Sequence, residues 1–503
     1  MRLGRKKRIV ILVHGWSVRN TDSFGGLPER LKLEAARSPD LDLDVRQIWL
    51  SEYISFHNEV TIPDISRAFD AALQRECGDA LKQGRRIACI AHSTGGPVVR
   101  AWLQQHCLGP RRRRPPLSHL IMLAPANFGC ALVQLGLAKL SRLRAWFEGM
   151  EVGTGVLDWL ELGSPQSCAL NLQWLEEGAG LIGPKGLFPF VLAGQSHDPL
   201  LYDPVNGYTA ELGSDGVVRA AAANLNFTHI RLRQQAPVAD MKARFGFSAP
   251  ELVSAPPRFS PAVPYALLPG RCHSDVRMGI MRSVPADGTP HPTVDALLQC
   301  LRVDSKADYA RLFDAFQAQT AAVQEEERVE DRSALGPFDH QVIRDACSML
   351  VFRVRDDQGN PVKDFDLQLT VGPGSNPNHL PPGFFLDRQL NHLDPGTVTY
   401  YVNHARLHGS PAIGYRGREL RPALQGAASL GVRVIPYPQE GFVHYLPASL
   451  KAEPAHLAAF VQPNQTTLVD VVLRRVVREG VYRLTRDASP ENFTKQPPGA
   501  PVE

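Results

Sequence analysis

The chain has 503 residues, 44% of them hydrophobic and 21% charged, with a formal net charge of +4. That length exceeds a single hydrophobic core, and the composition is that of a folded globular protein; so small a positive balance gives no ground for nucleic acid as a partner. Eight cysteines without paired spacing read as reduced, buried thiols, no stretch is apolar for long enough to span a bilayer, and no C-x-x-C, H-E-x-x-H or phosphate-loop pattern predicts a metal or a nucleotide, so no cofactor is expected.

The first element is Arg8-Ile9-Val10-Ile11-Leu12-Val13, a continuous apolar run that suits a strand buried on both faces and ends at His14-Gly15-Trp16. The basic start Arg5-Lys6-Lys7-Arg8 is followed by too short an apolar run for a secretory signal, so the chain is expected to be cytoplasmic as synthesised. Leu41 to Leu50 adds a strand, and Ile62 to Lys82 carries Ile65, Phe69, Leu73 and Leu81 at helical spacing. Next, Ile87-Ala88-Cys89-Ile90 runs into Ala91-His92-Ser93-Thr94-Gly95-Gly96, which reads as a strand entering a nucleophile elbow of the form A-x-S-x-G. A serine hydroxyl is a poor nucleophile until a base takes its proton, and the elbow holds it exposed within that base's reach. Small residues on either side make so sharp a turn sterically feasible. Pro97 to Leu103 continues as a helix whose positive N-terminal end lies under Ser93. An acyl-transfer site needs preorganised N–H donors for its oxyanion, and the amides of Thr94 and Trp16 are the candidates.

The tetra-arginine run Arg111 to Arg114 reads as a solvated loop, and Leu117 to Leu123 as another strand. With Val13-His14-Gly15-Trp16 as an oxyanion loop, Ala91 to Gly96 as an elbow and Leu123-Ala124-Pro125-Ala126-Asn127-Phe128-Gly129 as the segment opening into a lid, the chain resembles the bacterial lipase branch of the α/β-hydrolase family. Leu162-Gly163-Ser164-Pro165 and Leu170-Asn171 are similar to the stretch that closes the lid region. The resemblance covers about residues 8 to 300. It implies an α/β fold, a mostly parallel sheet with helices on both faces and an inserted helical lid, which the alternation of strand and helix patterns also predicts. The lid falls at about 130–186. There Leu132, Leu135, Leu140, Leu143 and Phe147 line one face of an amphipathic helix against Lys139, Arg142 and Arg144, either packed on the core or covering an acyl-chain site and making peripheral membrane contact.

Family order is nucleophile, acid, histidine. Candidate strands are Phe188 to Ala193 and Phe227 to Leu232, the latter taken as the last of the sheet. Between them Gly213-Ser214-Asp215-Gly216-Val217-Val218 is similar to the acid-bearing turn of the lipases, so the resemblance gives Asp215 the task of orienting the base, with Asp198 in Ser196-His197-Asp198-Pro199 as rival. Of the later histidines, His229 sits inside the proposed strand and His291 lies farther on. His273, on the loop Gly270-Arg271-Cys272-His273-Ser274-Asp275, stands where a base must be to face the elbow.

After Thr293 a long helical pattern runs through Leu297, Leu301, Leu312 and Phe316 into Glu325-Glu326-Glu327, and residues 331–345 read as a linker. Beyond it the period becomes two: Leu350, Phe352 and Val354, then Phe365, Leu367, Leu369 and Val371, with further strands at Val398 to Val402, Val432 to Ile435, Phe442 to Leu446 and Leu468 to Leu473. Short strands between Gly/Pro turns predict an antiparallel β-sandwich over 346–480, following a catalytic domain over 1–330, and 489–503 read as a disordered tail.

Together these features predict a serine carboxylic-ester hydrolase, a lipase or phospholipase, with Ser93, Asp215 and His273 as catalytic residues and a lipid or other acyl ester as substrate. The resemblance extends to phospholipase effectors of the type VI secretion system, which would make secretion machinery a partner. A hydrolase fold retained for binding alone is the reading from a different class.

Overall fold

The apolar runs of the first half become one parallel sheet. Strands β1 (Lys6–Val13), β2 (Leu41–Ile48), β3 (Ile87–His92), β4 (Leu117–Leu123) and β5 (Phe188–Ala193) and the short strand Tyr265–Leu267 lie in the order β2-β1-β3-β4-β5-Tyr265–Leu267. Every neighbouring pair is parallel. The computed structural model describes residues 6–14, 21–54, 59–109, 113–134, 153–197, 211–235, 250–331 and 341–477. Trp16, Asp198, the tail 489–503 and residues 135–147 of the expected lid helix lie outside them, while Leu132, where that helix was expected to begin, is buried in the core.

Alternate residues of each strand serve opposite layers, as a two-residue period requires. Ile9, Ile11, Val13, Cys89 and Ala91 join the core under helices α2 (Ile62–Lys82) and α3 (Gly95–Cys107). Val10, Leu12, Ala88 and Ile90 join the core under α1 (Leu27–Arg37) and the helices Pro292–Leu301 and Lys306–Glu326. The chain places β2 on one side of β1 and β3 on the other, so a crevice opens where the order reverses, at the carboxyl ends of β1 and β3. Ser93 follows β3 directly.

The pattern after Thr293 is two helices rather than one. Ser305 begins the second with a capping box, its hydroxyl accepting from the Asp308 amide, and this local hydrogen bonding competes with helix continuation at a point where apolar spacing gives no warning. Part of the segment read as a linker is strand: Gln341–Ile343, inside it, pairs antiparallel with Val329–Asp331, which ends at its first residue.

Strand β6 (Phe227–Gln234) departs from expectation. It does not close the parallel sheet but pairs in parallel with Thr466–Leu473 of the C-terminal region. Periodicity identifies a strand without naming its partner, and the true sixth strand, Tyr265–Leu267, is too short to show a period. The C-terminal sheet is therefore mixed: Phe385–Leu390, Thr397–Asn403, Cys347–Asp356, Thr466–Leu473, β6 and Leu252–Ser254, with Arg258–Phe259 beside β6. Cys347–Asp356 lies antiparallel to Thr397–Asn403 and parallel to Thr466–Leu473. An antiparallel sheet of Phe365–Thr370, Leu430–Pro436 and Ala448–Glu453 packs on it through Leu350, Phe352, Val354, Leu367, Leu369, Val432 and Val434. The opposite face, with Met349, Val351, Tyr401 and Leu468, joins the core of the parallel sheet. Residues 1–330 and 346–480 thus share both a sheet and a core. Among the described residues no helix is long and apolar enough to cross a membrane.

Candidate active site

The turn after β3 has the elbow's strain. Ser93 has φ +54°, a left-handed conformation unfavourable for a residue with a Cβ. It is held from both sides, its amide donating to Leu123 O at 2.9 Å and its carbonyl accepting from the Gly96 amide at 3.1 Å. A Cβ on Gly96 would lie 2.8 Å from Pro125 Cβ, so glycine is what lets the elbow close against the turn after β4.

His273 Nε2 lies 2.9 Å from Ser93 Oγ, and its Nδ1 lies 2.9 Å from Asp215 Oδ2. A carboxylate only accepts, so Nδ1 carries the hydrogen and Nε2 is left to accept from the serine hydroxyl. Asp215 grips His273 a second time through its backbone carbonyl, which accepts from the His273 amide at 3.0 Å. The other carboxylate oxygen, Oδ1, accepts from the amides of Val217 at 2.9 Å and Val218 at 2.7 Å, so this buried group has its lone pairs satisfied. Ser93 is half-buried, while His273 and Asp215 are buried.

The histidine loop has its own supports. The Gly270 amide donates to Glu327 Oε1 at 2.6 Å, and Asp275 Oδ1 accepts from Arg277 and Met278 amides. A Cβ at Gly194, just past β5, would stand 2.0 Å from Arg271 O, so only glycine admits the loop there. His92, immediately before Ser93, donates its Nε2 hydrogen to His273 O at 3.2 Å. Burial, then the nearby rings of His273 and His14, push its pKa well below the usual histidine value, so it stays neutral. Tyr265 sits nearby; burial and the Asp215 carboxylate both raise its phenol pKa.

Of the residues singled out from sequence, Ser93, His273 and Asp215 come together. Thr94 is buried at the start of α3, and Trp16 and Asp198 fall outside the described residues. His229 is elsewhere: its Nε2 bonds Asp470 Oδ2 at 2.9 Å in the C-terminal sheet, where Arg353 also binds Asp470. Its position inside a strand pointed to such a structural partner. His291 caps the helix Pro292–Leu301. All eight cysteines are unpaired and buried, Cys272 included. Among the described residues no group of three or more His, Cys, Asp or Glu side chains could hold a metal ion. His92, Gly194 and Glu327 escape sequence reasoning; only His92 carries a signal, its adjacency to the serine.

No protein-family model matches the chain, and no curated protein does. Among solved structures, phospholipase PlaB from Legionella pneumophila is 37% identical, with 99% of this chain and 100% of that chain covered and a TM-score of 0.82. The same enzyme in complex with thio-NAD matches at 37% identity, with the same coverage of 99% and 100% and a TM-score of 0.80.

Proposed function

Since this chain belongs to the family of the Legionella phospholipase PlaB, a lipase-like branch of the α/β-hydrolases, we propose that it cleaves acyl esters of phospholipids with Ser93 as nucleophile, His273 as base and Asp215 as the acid that orients it. The chain is a lipid-ester hydrolase, and the observation that carries the finer reading is the series Ser93 Oγ, His273 Nε2 and Nδ1, and Asp215 Oδ2, each link 2.9 Å long.

In this reading Ser93 Oγ attacks the acyl carbonyl while His273 Nε2 takes its proton, and the imidazolium so formed faces the Asp215 carboxylate. The oxyanion of the tetrahedral intermediate meets the Thr94 and Trp16 amides. Collapse expels the alcohol, which recovers the proton from His273 and leaves an acyl-Ser93 ester. A water molecule, deprotonated by His273, then attacks that ester and releases the fatty acid.

The amphipathic sequence pattern of Leu135, Leu140, Leu143 and Phe147 favours contact of the lid with a lipid surface, since leucines uncovered by an opening lid are better solvated there than in water. The test is hydrolysis of phosphatidylglycerol vesicles followed by mass spectrometry of the products. Free fatty acid and lysophospholipid from the wild type, absent with Ser93→Ala, support the reading. Cleavage of triglyceride with phospholipid untouched overturns the substrate assignment.

A further inference from the structure

The loop that carries Asp215 runs from Glu211 to Arg219 and is gripped near both ends by the C-terminal sheet. At one end, Tyr401 Oη donates to Leu212 O at 2.6 Å, and Gly213, with φ +66°, packs so closely on Tyr401 and Cys347 that a Cβ there would lie 2.7 Å from that hydroxyl. At the other end, Arg219 is 1% exposed, and its guanidinium binds Glu211 through Nε at 2.8 Å and Nη2 at 2.6 Å. The same Nη2 also binds Asp387 Oδ2 at 2.5 Å, and the guanidinium carbon lies 4.1 Å from the centre of the Tyr401 ring. Asp387 is on Phe385–Leu390 and Tyr401 on Thr397–Asn403. Among the described residues no hydrogen bond joins either of them to Ser93 or His273.

Such a loop needs holding. Besides Gly213, Gly216 next to Asp215 has φ +93°, and two left-handed glycines give a backbone with little intrinsic stiffness. Yet Asp215 positions His273 through both its carboxylate and its carbonyl, so a shift of the loop reaches the imidazole directly. The parallel-sheet side supplies a further restraint in the Cys130 thiol, which donates to Val217 O at 3.0 Å. A buried guanidinium deprived of one of two carboxylates changes its geometry, because its charge must find compensation elsewhere.

We infer that Asp387 and Tyr401 are positioning residues for the acid: they clamp the Glu211–Arg219 loop so that Asp215 meets His273 Nδ1, which makes the C-terminal sheet part of the machinery that orients the base. The inference rests on Asp215 and His273 having the roles proposed above.

The experiment is a double-mutant cycle on the full chain with a soluble p-nitrophenyl ester, combining Asp387→Asn and Tyr401→Phe separately with Asp215→Asn. Each single clamp substitution is expected to lower kcat on the order of 10- to 100-fold, the scale of a sub-ångström to ångström misplacement. Each should leave KM within about twofold of wild type, because the base and not the bound ester is misplaced. In the Asp215→Asn background the same substitutions should change kcat much less, by no more than about threefold, since the carboxylate through which they chiefly act is already gone and only the backbone contact of residue 215 to the His273 amide remains. Equal losses in both backgrounds, or single variants with wild-type kcat, or a loss confined to KM, overturn the inference. If Asp387→Asn fails to fold, Tyr401→Phe, which keeps the ring and loses only the hydroxyl, decides the matter. Full activity of Asp215→Asn alone would instead overturn the underlying reading, and the clamp with it.

Discussion

His92 and His273 are joined ring to chain. The Nε2 hydrogen of His92 points at the backbone carbonyl of His273 across 3.2 Å, and the two rings lie 5.0 Å apart. The residue preceding Ser93 therefore holds the loop that carries His273. His92→Phe keeps a ring in the space and removes the donor. We expect kcat on a soluble ester to fall on the order of tenfold, with the melting temperature little changed, because the other ring nitrogen of His92 has no hydrogen-bond partner among the described residues. Steady-state kinetics with calorimetry checks both halves, and an unchanged kcat refutes the coupling.

Asp215→Asn should lower kcat by on the order of 10³- to 10⁴-fold, because an amide cannot stabilise the imidazolium and can favour the wrong tautomer. Asp198→Asn should stay within about twofold of wild type. Parallel kinetics on one soluble ester checks the pair, and the opposite ranking would exchange their roles.

His229 is bound to Asp470 in the C-terminal sheet, away from Ser93. Burial raises the pKa of Asp470, but the His229 hydrogen bond and the Arg353 charge outweigh it and hold the carboxyl below its usual value. His229→Ala should cost about 1–3 kcal/mol of stability through the lost hydrogen bond and leave kcat unchanged. Urea denaturation alongside the ester assay tests it, and loss of turnover at full stability would contradict it.

Three buried histidines make the fold sensitive to acid. Burial, then neighbouring charge, keeps His92 far below the usual value, His119 at about 3 and His291 at about 4. Below the unfolded value of about 6.5 the unfolded chain binds protons that these rings refuse, so stability falls with falling pH, by about 1.4 kcal/mol per pH unit for each ring. Above about 6.5 both states leave the rings neutral and this contribution is flat. Denaturant titrations between pH 5 and 8 should show the break. His119→Gln should make the slope below pH 6 shallower by one proton, and an unaltered slope would refute the assignment for that ring.

Much of the site was legible because its chemistry is local in sequence. Ser93 announced itself by an apolar strand, small flanking residues and a helix-forming continuation, all within one short segment. His273 was legible through its glycine-led loop, and Asp215 through the likeness of its Gly-flanked turn to the acid-bearing turn of the lipases. The pairing of β6 was not legible. Its second half alternates buried Ile230 and Leu232 with exposed Arg231 and Arg233, which marks a strand, and nothing within it tells which sheet supplies the neighbours. The clamp of Arg219 by Asp387 and Tyr401 was hidden for a related reason: its members lie 168 residues apart along the chain at Arg219 and Asp387, and sequence spacing carries no information across that distance.

Active-site labelling tests the central claim most directly. Wild-type protein treated with a fluorophosphonate, digested and analysed by mass spectrometry should carry the phosphonyl group on Ser93 alone; the label should vanish with Ser93→Ala and slow by several orders of magnitude with His273→Ala. Labelling of a different serine, or undiminished labelling without His273, would contradict the assignment of Ser93 as a nucleophile activated by that imidazole.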